Sequence, residues 1–141
     1  MSRAIKFRAW DKKRQEMRSG HNLWLDTFDG SLHWQFGYDE PMPFLKEDII
    51  LMQFTGLHDK NGKEIWEGDI VREIPELSGH EDRKRRGIIE WDNSIASFVV
   101  KLLDRDDNAW CQLNEGNPNN STMLKYTEVL GNLYESSELL K

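Results

Sequence analysis

Short strand-like segments separated by turn-forming residues dominate this sequence and limit the folds open to it. Apolar and β-branched residues occur in runs of a few residues, with no long stretch of the 3.6-residue periodicity that marks an amphipathic helix. The dipeptides Asp29-Gly30 and Asn61-Gly62 suit the positive-φ positions of tight hairpin turns. Many short strands with regularly spaced turns are typical of barrels and coiled sheets. The sequence therefore predicts a mainly β fold with little helix.

The pattern of apolar residues places individual strands. Residues 5–9 alternate apolar and cationic side chains, as a half-buried strand does, whereas residues 49–54 form a continuous apolar run typical of a strand buried on both faces. Residues 136–140 favour one closing helical turn capped by a serine. The remaining predicted strands are 16–18, 23–25, 32–36, 64–66, 70–74, 87–91, 97–102, 110–113 and 129–134.

The length of 141 residues corresponds to a single domain. Because Pro41-Met42-Pro43 interrupts regular structure, we expect an N-terminal strand and hairpin region over residues 1–40 and a barrel-containing region over residues 46–141. We identify no membrane span and no signal peptide. Cys111, the sole cysteine, has no internal disulfide partner, which favours a reducing, cytoplasmic location.

Charge is unevenly distributed along the chain. The net charge is -6, yet residues 1–20 carry seven Lys and Arg side chains against two acidic ones, and the remaining 121 residues carry 12 against 23. An acidic body opposes general binding to nucleic acid, because phosphate contacts need a basic surface. Two local basic clusters remain, at residues 12–14 and 83–86. Either could contact phosphate or a partner, although the second also reads as a solvated loop that protects a sheet edge.

Four segments of the chain carry a resemblance to a known family. The most specific is residues 55–71, which we call the central run and which reads TGLHDKNGKEIWEGDIV. Three further pieces occur in the same order: FRAWD at residues 7–11, GIIEW at 87–91 and VLGNLYE at 129–135. Together they resemble the YopX-like proteins of bacteriophages and prophages over almost the whole chain.

The resemblance implies a fold of several coiled β-sheets that includes an SH3-like barrel, within a single YopX-like domain. It implies an origin in a phage or prophage and a protein without established function, and it brings no catalytic residues to carry over. It also raises the expectation of a homo-oligomer.

Every polar group of the central run has a structural role available to it. Asn61-Gly62 supplies a tight turn, Gly68 permits a backbone conformation that a Cβ would strain, and Asp69 can accept nearby backbone N–H groups. We therefore predict that the run determines the fold and is not an active site. The residues assigned to this role are Thr55, Gly56, Asn61, Gly62, Trp66, Glu67, Gly68 and Asp69.

The chain contains few candidate catalytic residues. A small metal-dependent hydrolase remains an alternative, because such chemistry needs converging carboxylates and the chain offers Asp59, Glu64, Glu67 and Asp69 close together. The four histidines have no zinc-ligand spacing, and Cys111 has no evident activating base. We predict no enzymatic activity, no cofactor and no metal ligands.

Direct nucleic-acid binding is the other alternative. Its candidate residues are Lys12, Lys13, Arg14, Arg83, Lys84, Arg85 and Arg86, together with Trp10. Trp10 is the tryptophan we expect to be most exposed, since it precedes the first basic cluster, whereas Trp66 and Trp91 lie among apolar residues and are assigned to the core. The leading hypothesis is a non-enzymatic binding or assembly module that recognises a protein partner or its own copies.

Overall fold

A computed structural model describes residues 4–19, 23–25, 28, 31–34, 42–43, 46–73, 85–104, 110–113 and 126–140. Their regular structure is antiparallel β with short 3₁₀ helices at Lys46–Asp48 and Ser137–Leu140, so the prediction of a mainly β fold with little helix is confirmed. The strands are β1 Phe7–Asp11, β2 Glu16–Ser19, β3 Leu23–Leu25, β4 Leu32–Trp34, β5 Met42–Pro43, β6 Ile49–His58, β7 Glu64–Trp66, β8 Asp69–Glu73, β9 Arg86–Asp92, β10 Ser97–Leu102, β11 Trp110–Gln112 and β12 Thr127–Asn132.

The chain divides into two compact units, Ala4–Gln53 and Phe54–Lys141, with the division inside β6. In the first unit, β1 is the middle strand and pairs antiparallel with β2 on one side and with residues 49–53 of β6 on the other. Strands β3, β4 and β5 form a separate antiparallel sheet. The predicted pairing of residues 23–25 with 32–34 is confirmed, while the Asp29-Gly30 turn lies outside the described residues.

The second unit contains a five-stranded sheet in the order β11-β10-β9-β8-β12. The core of the unit lies on one face of this sheet. Alternate side chains of a strand point to the same side, so every second residue of the strand can contribute to this core. The buried core residues are Ile65, Val71, Ile89, Phe98, Val100, Leu102 and Leu113. The opposite face also buries apolar side chains, including Ile70 and Val99.

Gly87 shows how closely β9 and β10 approach. A Cβ built on Gly87 would lie 2.4 Å from Cγ1 of Val100 and 2.8 Å from the carbonyl oxygen of Lys101. Strand β10 is held between β11 and β9 and has little room to move. A larger residue at position 87 would therefore displace Val100 and the backbone at Lys101.

The β6–β7 hairpin follows the prediction around Asn61-Gly62, with one addition. Strand β6 continues beyond residue 54 to His58, and its register against β7 shifts between Phe54 and His58, where Gly56 has a φ of 87°. Such a bulge bends a strand and increases its twist. The specific SH3-like barrel stays a prediction. No helix in the described part of the chain has the length and apolar character needed to cross a membrane.

Candidate functional site

The carboxylate of Asp59 organises the turn between β6 and β7. Its Oδ1 accepts the backbone N–H groups of Asn61 at 2.8 Å and Lys63 at 2.9 Å, and its Oδ2 accepts the N–H of Val129 in β12 at 3.0 Å. Beside it, the N–H of Lys60 donates to the carbonyl of Thr127 at 3.0 Å. One side chain therefore both shapes the turn and joins the hairpin to β12.

The protonation of Asp59 follows from this position. Burial raises the pKa of the Asp59 carboxyl. The N–H groups of Val129, Lys63 and Asn61 lower this pKa, and the charge of the Lys63 ammonium adds a smaller lowering. Together they outweigh the effect of burial, so the net pKa is below the ordinary value. Asp59 is therefore ionised at neutral pH, with its charge stabilised by backbone dipoles.

Two other polar side chains of the central run, those of Asp69 and Thr55, are also bonded to the backbone. Oδ2 of Asp69 accepts the N–H of Trp66 at 2.8 Å. The hydroxyl of Thr55 donates to the carbonyl of Ile65 at 2.7 Å and accepts the N–H of Leu57 at 3.2 Å. Thr55 and Asp69 are buried, so these bonds satisfy groups that water does not reach.

Gly68 connects the end of the central run to the five-stranded sheet. Its φ is 81°, its N–H donates to the carbonyl of Ile89 at 2.8 Å, and its carbonyl accepts the N–H of Leu133 at 3.0 Å. A residue with a Cβ would be strained in this left-handed conformation. These contacts agree with a fold-determining role for the run, which itself stays a prediction.

The four carboxylates proposed for a metal-dependent hydrolase do not share one site in the described residues. Asp59 and Asp69 direct oxygens to backbone N–H groups, while Glu64 is half-buried and lies opposite His58 in the β-ladder. Among the residues that the structure describes, no group of three or more His, Cys, Asp or Glu could hold a metal ion. The geometry therefore offers no support for this alternative. The absence of enzymatic activity stays a prediction.

The first basic cluster, residues 12–14, follows β1 in the unit Ala4–Gln53. Nζ of Lys12 donates to the carbonyl of Glu47 at 2.8 Å, and Nζ of Lys13 pairs with Asp48 at 2.6 Å. The guanidinium of Arg14 lies 3.7 Å from the carboxylate of Asp11. The hydrogen bond and the charge of Asp48 raise the pKa of Lys13. Each cation of this cluster therefore has an oxygen partner within its own unit.

The second basic cluster, residues 83–86, is described only in part and belongs to the unit Phe54–Lys141. Arg85 pairs with Glu73 at 3.8 Å. Arg86 pairs with Asp104 at 3.1 Å and donates to the carbonyl of Leu139 at 2.9 Å. Arg83 and Lys84 lie outside the described residues. The two described arginines hold distant segments of their unit together.

Two predictions about tryptophan exposure are wrong. Trp10 is only 6% exposed, because β1 is a middle strand that pairs Trp10 with Met17 of β2 on one side and Ile50 of β6 on the other. It therefore cannot serve as a stacking platform. Trp91, assigned to the core from its apolar neighbours, is 40% exposed.

The register of the strands explains why Trp91 is exposed. Strand β8 pairs with β9 only over residues 86–88, and β11 pairs with β10 only over residues 99–101. Beyond those pairs, Gly68 bonds to Ile89 and Leu113 bonds to Phe98, and none of the described strands lies beside the remainder of the β9–β10 hairpin. We call residues 91–96, at the end of this hairpin, the hairpin tip.

The hairpin tip presents apolar surface in a defined conformation. The Trp91 indole packs edge-on against Phe98 with ring centroids 5.0 Å apart, and its Nε1 donates to Oδ1 of Asn93 at 3.0 Å. Oδ1 of Asp92 accepts the N–H of Ser94 at 2.7 Å. Ile95, within the turn, is 41% exposed. The signal in the sequence that the prediction did not use is a large apolar residue, isoleucine, inside a turn of small and polar residues, four residues after a tryptophan.

Comparisons with known protein families and solved structures cover nearly the whole chain. It matches the family described as YopX protein over residues 6–141. The crystal structure of protein EF1440 from Enterococcus faecalis is similar, with a TM-score of 0.61 and 26% sequence identity over 99% of this chain and 100% of that one. No curated protein gives a significant match. The resemblance first indicated by the central run is thus confirmed, and the chain belongs to the YopX family.

Proposed function

We propose that this protein is a non-enzymatic binding module of phage or prophage origin that acts through protein contacts in the bacterial cytoplasm. The observation that carries the proposal is the state of Asp59, whose two oxygens accept three backbone N–H groups and join two parts of the fold. A carboxylate held in this way supports structure and has little capacity left for a substrate or a metal ion.

The charge distribution favours a protein partner over nucleic acid. The chain has a net charge of -6, and the described cations of both basic clusters contact oxygen atoms of their own unit. Phosphate would have to compete with those partners for the same side chains. We therefore propose a protein partner, with self-association as one form of it.

Association experiments on the purified full-length protein test this function. Light scattering over a range of concentrations measures the oligomeric state, and immobilised protein is exposed to lysate of a prophage-carrying bacterium with and without induction. A defined oligomer, or a stoichiometric partner that binds again after separate purification, is the expected result. A monomer without any such partner would contradict the proposal.

Two further measurements test the alternative functions, namely nucleic-acid binding and metal-dependent hydrolysis. Retention of DNA or RNA that weakens as salt rises would favour the nucleic-acid reading, because phosphate contacts release counterions. Saturable heat on titration with Mg²⁺ or Mn²⁺, diminished by Asp69→Asn, would favour the hydrolase. We expect no salt-dependent retention and a flat titration.

A further inference from the structure

We infer that the hairpin tip is the contact surface of this binding module and that its partner is a different protein with an apolar pocket bordered by basic side chains. The inference rests on the proposed function and assigns it a site. It is carried by three properties of the tip, namely its protrusion, its fixed apolar side chains and its charge.

Protrusion makes the tip accessible to a concave partner. Because β8 and β11 stop short of it, the tip has no neighbour among the described strands of the five-stranded sheet. Trp91 and Ile95 are 40% and 41% exposed there, although residues of their size and apolarity are usually buried in a folded domain. Side chains of this kind on a projecting turn suit insertion into a pocket, where tryptophan is among the residues that contribute most to binding.

The conformation of Trp91 is set before any partner arrives. Phe98 packs against the indole and the side chain of Asn93 accepts its N–H, and both contacts favour the observed rotamer. The turn is also defined, by the bond from the N–H of Ser94 to Asp92 and by the left-handed φ of 48° at Ala96. Side chains fixed in this way lose little conformational entropy on binding, which favours affinity.

The negative charge of the hairpin favours a partner with positively charged side chains around its pocket. Residues 88–100 contain Glu90 and Asp92 and no Lys or Arg. Bonds from the hydroxyl and the N–H of Ser94 lower the pKa of Asp92, so this carboxylate is ionised at neutral pH. A partner with cations around its pocket is therefore complementary, and electrostatic complementarity speeds association and excludes partners of like charge.

A second copy of the chain fits the tip less well than a different protein. Two tips brought together would oppose their Asp92 carboxylates at close range. The described cations in the two basic clusters already have oxygen partners in their own unit, so a docking carboxylate would have to compete with those partners.

Site-specific photo-crosslinking in full-length protein tests the assignment. A benzophenone amino acid replaces Ile95 in one variant and Glu138, an exposed residue of the C-terminal 3₁₀ helix, in the control. Both are irradiated in lysate of a prophage-carrying bacterium, and crosslinked proteins are identified and purified. We expect one protein to crosslink from position 95 and not from position 138.

Binding of that purified protein to variants then tests the chemistry. We expect Trp91→Ala to weaken affinity by at least about tenfold and Ile95→Ser, which leaves the Phe98 contact intact, to weaken it several-fold. Leu140→Ser removes an apolar side chain of similar exposure elsewhere and should leave affinity unchanged. Asp92→Asn keeps an acceptor for Ser94 while removing the charge, so affinity should depend less steeply on salt.

The outcomes separate this inference from the function on which it rests. A partner captured by the wild type that neither crosslinks from position 95 nor responds to Trp91→Ala and Ile95→Ser would overturn the tip and leave the binding function standing. Crosslinking of the chain to itself, or to nucleic acid, would overturn the choice of partner. The absence of any reproducible partner or oligomer would overturn both.

Discussion

Two turns of this protein begin with an aspartate and differ in what that aspartate reaches. In the β6–β7 turn, Asp59 accepts two N–H groups of its own turn and a third from Val129, 70 residues away in sequence. In the β9–β10 turn, Asp92 accepts the N–H and the hydroxyl of Ser94, which are local bonds. Asp59 is buried in the fold, whereas the second turn exposes Trp91 and Ile95.

The difference shows that similar local chemistry can serve closure or recognition. Both aspartates have a pKa below the ordinary value because N–H or O–H groups bond to the ionised form. The position of neighbouring strands separates their roles. Strand β12 lies beside the first turn and donates the N–H of Val129 to Asp59, while β8 and β11, the described neighbours of the β9–β10 hairpin, end before the second turn.

The largest effect is expected from removing the carboxylate that reaches β12. Asp59→Ala should lower the free energy of unfolding by about 3 kcal/mol, because three N–H groups lose their acceptor and one of them belongs to β12. Asp92→Ala, the matched change in the projecting turn, should shift the midpoint of urea unfolding much less. Equal shifts in the two variants would remove the distinction between the turns.

A smaller effect is expected at the glycine that links the closed turn to the sheet. Gly68→Ala should cost about 1–2 kcal/mol, because φ at this position is left-handed. Glu67→Gln, one residue earlier and half-buried, should remain within about 0.5 kcal/mol of the wild type. Thermal unfolding of the three proteins measures the difference, and a similar melting temperature for all of them would contradict this account of Gly68.

The dependence of stability on pH should report the hydrogen bonds that the Asp59 carboxylate accepts. Because the pKa of Asp59 is lowered by folding, its contribution is fully present above the pKa of an unfolded aspartate, about 3.9. It should be lost as the pH falls through the still lower pKa of the folded state. The stability gap between wild type and Asp59→Asn should therefore be constant from pH 5 to 7 and shrink below about pH 4. A gap that widens in acid would reverse the assigned direction.

The smallest effect on stability is expected at the hairpin tip. Ile95→Ser should change the free energy of unfolding by no more than about 0.5 kcal/mol, because the side chain lies in an exposed turn outside the core. Chemical denaturation measures this change beside the binding assays. A loss comparable with that of Asp59→Ala would show that Ile95 belongs to the core and not to a contact surface.

The features that could be predicted from sequence are those set by neighbouring residues. Asn61-Gly62 marked the β6–β7 hairpin, and the apolar runs at 87–91 and 97–102 marked β9 and β10, because turn chemistry and side-chain alternation act over a few residues. The exposures of Trp10 and Trp91 were predicted in the wrong order. Their burial depends on which strand lies alongside, and pairing partners can be far away in sequence.

The positions of most strands, the Asn61-Gly62 turn and family membership were thus already contained in the order of the amino acids, whereas β5 at Met42–Pro43 was not. The hydrogen bond between Asp59 and Val129 and the exposure of Trp91 were decided by the pairing of the strands. Register and strand length determine which side chain contacts a neighbouring strand and which contacts water.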